Sequence, residues 1–162
     1  MKRVIMPGSF DPITNGHLHM IERAITLFDE VYVVILYNPN KKGMFSIEER
    51  LQFIKEAVKD LPQVKVDAYD GLTINYARKV KACAMLRGIR NTKDFEYEKD
   101  LAAMNTLIAP EIETVFLFAD GEHALISSSM VKELAHFHAN YKAFVPTVVY
   151  EAMKRKEVST NE

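Results

Sequence analysis

The sequence predicts a doubly wound α/β fold, a single domain over residues 1–162 with helices on both faces of a five-stranded parallel sheet. Three observations carry this. Short apolar or β-branched runs recur along the chain, amphipathic helical patterns lie between them, and the two kinds of segment alternate. Alternation implies βαβ units, and right-handed crossovers then build a parallel sheet covered on both sides.

The first strand is read at Val4 to Met6, and the first helix after it places Leu18, Ile21, Ile25 and Phe28 on one face. Val31 to Tyr37 reads as the second strand. The second helix carries Ile47, Leu51, Ile54 and Val58 on its apolar side, and Ser46 followed by Glu49 has the capping-box spacing that marks its start. Val64 to Tyr69, Cys83 to Arg87 and Thr114 to Phe118 supply the remaining strands. The sheet is therefore of the Rossmann-like, dinucleotide-binding type. In such sheets ligands bind beyond the carboxyl ends of the strands, where strand order reverses. The loops to inspect are Pro7 to Asn15, Asn38 to Phe45, Asp70 to Thr73, Gly88 to Asp94 and Ala119 to Ser127. A frayed tail is expected from about residue 155.

Composition narrows the functional classes. The chain is 48% hydrophobic and 27% charged, the profile of a folded globular domain, and at 162 residues it is long enough to bury roughly 70% of its unfolded surface. Its net charge of −1 gives no cationic field for nucleic acid, so anionic ligands must be held locally. No run approaches the roughly 18 apolar residues of a membrane span, and the first residues lack a signal-peptide pattern. Cys83, the one cysteine, falls in an apolar run that reads as a buried strand. These features point to a reducing, cytoplasmic location with no membrane partner.

Chemistry concentrates in three segments. After the first strand comes PGSFDPITNGH, Pro7 to His17. Gly8 permits a tight turn, and Gly16 exposes backbone N–H groups at a helix start, where phosphate is favoured. Thr14 and His17 bracket that position. The spacing matches neither a P-loop nor the three-glycine dinucleotide fingerprint. A plain reading, with Thr14 or Asn15 as a helix cap and His17 in a solvated first turn, stands beside the functional one. The second segment is RGIR, Arg87 to Arg90, followed by Asp94 and Glu98. Its guanidinium forks suit phosphate, and they equally suit the carboxylates of the next helix. The third is Ile126-Ser127-Ser128-Ser129, three hydroxyls at a helix start that either bind an anion or cap the helix. Lys41 and Lys42 add positive charge after the second strand.

Together these motifs resemble the nucleotidylyltransferase superfamily, whose signatures are a Thr/His-x-Gly-His segment and an Ile-Ser-Ser-Ser/Thr segment. Thr14-Asn15-Gly16-His17 and Ile126 to Ser129 match both. PGSFDPITNGH, RGIR with DFEYE, and ISSSMVKE are similar to the branch that adenylates 4'-phosphopantetheine, over nearly the whole chain. The resemblance implies transfer of the adenylyl group of ATP to 4'-phosphopantetheine, giving dephospho-coenzyme A and pyrophosphate, with Mg2+ carried on the ATP phosphates. It implies that His17, Lys41 and Arg90 serve catalysis. Ser9, Phe10, His17, Gly88, Ile89, Arg90 and Glu98 would hold ATP, as would His123, Ala124, Leu125 and Ile126 to Ser129. Ser9, Lys41, Thr73 and Arg87 would hold the acceptor. It further implies a homohexamer and feedback by coenzyme A. Ser9 stands where the family often has threonine, Thr73 where an apolar residue is common, and His123 where an aromatic is common. The alternatives are a related transferase with another acceptor, such as nicotinamide mononucleotide or glycerol phosphate, and a flavodoxin-like or stress-protein-like module that binds ATP without turnover. A class I aminoacyl-tRNA synthetase shares the His-x-Gly-His segment, but the chain has no Lys-Met-Ser-Lys-Ser loop.

Overall fold

A computed structural model describes residues 1–160. The elements run β1 (Arg3–Gly8), α1 (Asn15–Ala24), β2 (Glu30–Leu36), α2 (Ile47–Ala57), β3 (Val64–Tyr69), α3 (Thr73–Lys79), β4 (Ala84–Ile89), α4 (Thr92–Ile108), β5 (Glu113–Phe118), α5 (Ser128–His136) and α6 (Thr147–Thr160), with 3-10 turns at Gly121–Leu125 and Lys142–Phe144. All strands are parallel, in the order β3-β2-β1-β4-β5. The expected five-stranded, doubly wound sheet is the one observed.

Side chains on β1 alternate between the two faces. Val4 and Met6 join a core with α1, α2, α5 and α6, while Ile5 joins a second core with Ile74, Tyr76 and Ala77 of α3. Strand β2 is covered on both sides, with Val33, Val34 and Ile35 fully buried, which explains its unbroken apolar run. The capping box at α2 is present: Ser46 N donates to Glu49 Oε2 and Glu49 N donates to Ser46 Oγ.

The chain starts in the middle of the sheet, winds outward to β3, then crosses over to β4 on the other side of β1. Strand order therefore reverses between β1 and β4, and pairing there is short. β1 matches β2 over six residues, but β4 only at Val4 with Ala84 and Ile5 with Met85. Pro7, whose carbonyl takes a hydrogen bond from Arg87 Nη1 at 3.0 Å, has no N–H with which to extend the ladder toward β4. The two strands diverge, and a cleft opens between their carboxyl ends.

A buried ion pair ties the loops at this edge together. The Asp11 carboxylate is 6% exposed, accepts from Met44 N and Phe45 N at 2.8 and 2.9 Å, and faces Arg50 at 3.3 Å and Lys132 at 3.4 Å. Arg50 also donates to the carbonyls of Phe45 and Ser9. Gly43 makes room for this packing, since a Cβ there would stand 1.7 Å from Arg50 Nη2.

Two expectations change. Cys83 sits one residue before β4 and is exposed, its thiol donating to the Arg3 carbonyl, while its neighbours Ala82 and Ala84 are buried. The tail expected to fray from about residue 155 is helical through Thr160, because α6 packs Ala152 and Met153 into the core and a helix anchored there continues; residues 161–162 lie outside the described residues.

Removing one member of a buried ion pair leaves an uncompensated charge and costs about 3–5 kcal/mol. Asp11→Ala should therefore lower stability by that order in urea unfolding compared at one protein concentration. A loss under about 1 kcal/mol would mean that desolvation cancels the pair.

Candidate active site

The cleft between β1 and β4 has a volume of about 340 Å³. Its walls come from the Met6–Phe10 segment, the first turn of α1, the end of β4, α4, and the segment leading into α5. A larger hollow of about 440 Å³ lies between α2 and α6, lined by Glu48, Glu49 and Arg155 among others and by no strand residue. Size alone does not locate the site; the backbone donors and cations gather at the β1/β4 cleft.

Close approach explains two of the glycines. A Cβ at Gly8 would lie 3.0 Å from Phe10 Cε2, and one at Gly16 would lie 3.2 Å from the Ile126 carbonyl. Gly16 thus lets α1 start directly against the segment that opens α5. Phe10 adopts φ +45°, a left-handed conformation unusual for a side-chain-bearing residue, and turns its ring into the core, 4.9 Å from the His17 ring.

His17 is the third helical residue of α1, and Thr14 is the N-cap. The hydroxyl of Thr14 accepts from His17 N at 3.4 Å, and Thr14 N donates to His17 Nδ1 at 3.0 Å. Because Nδ1 accepts from a backbone N–H, the neutral ring carries its proton on Nε2 and is a donor there. Burial, and after it the Arg90 guanidinium, lower the imidazole pKa to about 4. His17 is a neutral donor on the cleft wall. Thr14 is 1% exposed and fixes this ring, instead of pointing at an anion alongside it as its position in the sequence suggests.

The arginines have counterions within the protein. Arg87 forms a bidentate pair with Glu98, Nε to Oε2 at 2.8 Å and Nη2 to Oε1 at 2.6 Å. Arg90 pairs with Asp94, Nε to Oδ2 at 3.0 Å. Of the two readings of RGIR, the bridge to the next helix is formed, yet Arg87, Arg90 and Glu98 all line the cleft. Glu98 is 7% exposed and both its oxygens face Arg87, so any ribose contact must share those oxygens.

The serines divide their roles. Ser127 caps α5, its Oγ accepting from Met130 N. Ser128 Oγ donates to the Pro12 carbonyl at 2.8 Å and joins α5 to the first loop. Ser129 is exposed, and all three reach the cleft. Ser9, Phe10, Gly88, His123 and Ile126 also line it. Five expected residues do not. Ile89 is buried in the sheet at 2% exposure, and Ala124 and Leu125 lie on the 3-10 turn, Leu125 75% exposed. Lys41 is in the exposed loop after β2, and Thr73 opens α3 after β3; both are at the same sheet edge, displaced toward β2 and β3. The sequence reading missed Met6, Met20 and Leu86 as cleft walls. Their apolar character marks core, and only the failure of pairing between β1 and β4 reveals them.

This arrangement defines a class. Residues 5–134 match the cytidylyltransferase-like family model, and the chain belongs to that family. Proteins named phosphopantetheine adenylyltransferase from Synechococcus elongatus and from Caldanaerobacter subterraneus are 52% and 46% identical, over 92% and 96% of this chain and 90% and 98% of their own lengths. Within the broader class the chain thus belongs to the phosphopantetheine adenylyltransferase family. The fold recurs in a bifunctional NMN adenylyltransferase/ADP ribose pyrophosphatase from Francisella tularensis (TM-score 0.70, 17% identity, 95% of this chain and 49% of that one). It recurs also in Plasmodium falciparum nicotinic acid mononucleotide adenylyltransferase complexed with NaAD (TM-score 0.66, 16% identity, 96% of each chain).

With a folded pKa near 4 against 6.5 unfolded, His17 takes up its proton later than the unfolded chain does as pH falls. The unfolded state then binds more protons, so this residue costs stability progressively from about pH 6.5 down to about 4 and contributes no pH dependence above 6.5. Proton NMR of the ring should give a midpoint near 4, and His17→Asn should lose less stability than the parent between pH 6.5 and 4.5. A ring titrating near 6.5 would contradict the neutral donor on the cleft wall.

Proposed function

We propose that this chain transfers the adenylyl group of ATP to 4'-phosphopantetheine, forming dephospho-coenzyme A and releasing pyrophosphate. The observation that carries the chemistry is His17, a neutral Nε2–H donor held in a cleft between the Gly8 turn and the start of α5. A phosphate oxygen of the acceptor forms the new bond to the α-phosphorus of ATP as the bond from that phosphorus to the bridging oxygen breaks. A phosphate monoester needs no base, so the site has two tasks: alignment, and stabilisation of charge growing on the α-phosphate and the leaving pyrophosphate. His17 donates to that charge, and Arg90 adds positive charge beside it.

Sheet topology suggests how the substrates lie. ATP is assigned to the β1/β4/β5 side, against Ser9, the backbone of Phe10 and of Gly88 to Arg90, Glu98 and the segment His123 to Ser129. The acceptor is assigned to the β2/β3 side, its arm passing Thr73 and its phosphate meeting Ser9, Lys41 and Arg87. The two meet over His17, where strand order reverses. The acidic groups on the cleft wall, Asp94 and Glu98, are both engaged by arginines, which supports Mg2+ riding on the ATP phosphates in place of a protein cage.

Coenzyme A contains the same pantetheine arm and an adenylate, so it would compete for both halves of the cleft; feedback of this kind is part of the proposal. So is assembly into a homohexamer in the cytoplasm. Along α4, Tyr97, Met104, Leu107 and Ile108 are exposed, Leu107 by 87%, and Phe118 lies exposed at the end of β5, an apolar surface that favours burial between copies. No helix of the described residues is long and apolar enough to cross a membrane.

Pyrophosphate release from ATP and Mg2+ should require 4'-phosphopantetheine and not nicotinamide mononucleotide or glycerol phosphate; no turnover with phosphopantetheine would sink the assignment. His17→Ala should lower kcat by about 10² to 10³ with ATP affinity nearly unchanged, the usual cost of one preorganised donor. Arg87→Ala should chiefly raise the KM for the acceptor. In sedimentation velocity, the parent should run as six copies of 18.5 kDa and Leu107→Glu as smaller species.

A further inference from the structure

At the outer rim of the cleft, three side chains from two separate parts of the chain converge: His19 on α1, and Asp120 and His123 on the turn after β5. One donor atom from each lies within 4.8 Å of the other two. His19 Nε2 is 2.9 Å from Asp120 Oδ1, and the His19 and His123 rings stack with centroids 4.0 Å apart and planes 5° from parallel. We propose that these three residues form a binding site for one borderline divalent metal ion of the zinc class.

The donor set argues for that class. Two imidazoles and one carboxylate suit Zn2+ and its neighbours, whereas Mg2+ and Ca2+ take oxygen ligands. In a tetrahedral site with metal–ligand bonds of about 2.0–2.2 Å, donors stand roughly 3.3–3.6 Å apart. The His19–Asp120 pair, at 2.9 Å, needs to open by only about half an ångström to reach that separation. The parallel rings do not yet aim their lone pairs at one point, so His123 must turn about its Cβ–Cγ bond. It is half-exposed on a short turn, where that rotation meets little resistance. One cation opposes the site: Arg23 influences Asp120 electrostatically, but its Nη1 is held on the Phe118 carbonyl at 2.6 Å. As a bare hydrogen bond the cluster would contribute little, because the Asp120 side chain is 72% exposed. As a metal site it would join α1, which carries His17, to the segment running into Ile126–Ser129. The site shares His123 with the proposed ATP contacts, but metal binding without nucleotide does not depend on the transferase reading and survives its failure.

Co2+ is the probe, added without nucleotide to the full-length protein in a Cys83→Ser background that removes the exposed thiol. The expected result is one Co2+ per chain with the intense visible bands of a four-coordinate ion, displaced by Zn2+. His19→Ala and the isosteric Asp120→Asn should each weaken binding at least about tenfold, no less than the loss of an outer-shell partner. Saturable binding unchanged in both variants, or the weak pink spectrum of hexaaquo Co2+ throughout, would overturn the site. Circular dichroism of Asp120→Asn establishes that any loss is not unfolding.

Discussion

The carboxylate of Asp11 is the constraint on which the working edge of the molecule depends. It lies in the loop after β1, yet its partners are Met44 and Phe45 in the loop after β2, Arg50 on α2 and Lys132 on α5. One side chain thus fixes the relative positions of segments up to 121 residues apart in the chain. Placing a charge where water scarcely reaches is costly, and here two backbone N–H groups and two cations meet it. The guanidinium of Arg50 in turn occupies the Ser9 carbonyl, so the turn proposed to cradle phosphate inherits its geometry from the ion pair.

A second constraint is negative. Where Pro7 faces β4, the sheet has no hydrogen bond to form, and the side chain of Arg87 takes the carbonyl instead. The cleft is what remains when a parallel ladder stops early. Both arginines at its wall hold carboxylates of α4, so an arriving phosphate enters an already balanced set of charges. The exchange of one anion for another across a guanidinium releases less energy than binding to a bare cation, and it confers geometric selection.

Most of the sheet was legible in the sequence because strand patterns are local. Val31 to Tyr37 announces a strand by composition alone, which β2 fills as far as Leu36, and Ser46 with Glu49 announces the start of α2. The loops at the carboxyl ends followed from topology, and with them the convergence of Gly8, His17, Arg90 and Ser127. What stayed hidden was long-range. Nothing around Asp11 signals that its counterion lies at Arg50, nor that Ser128 reaches back to Pro12. Cys83 was read as the first residue of its strand, but β4 begins at Ala84 and leaves Cys83 exposed at the sheet margin between buried Ala82 and Ala84. A bridge from the RGIR arginines to the next helix was one of two open readings, but which carboxylate each takes, Glu98 for Arg87 and Asp94 for Arg90, needs the angle between β4 and α4, which spacing does not encode.

The hydrogen bond from Thr14 N to His17 Nδ1 has a consequence for what this scaffold can become. With its lone pair turned inward, the imidazole has no acceptor to offer the cleft, so it cannot take a proton from an alcohol or an amine. If the acceptor binds at the β2 and β3 ends as proposed, loops there can recruit new acceptors only where each brings its own anion. Extending the repertoire to neutral nucleophiles would require a different wiring of the helix cap itself.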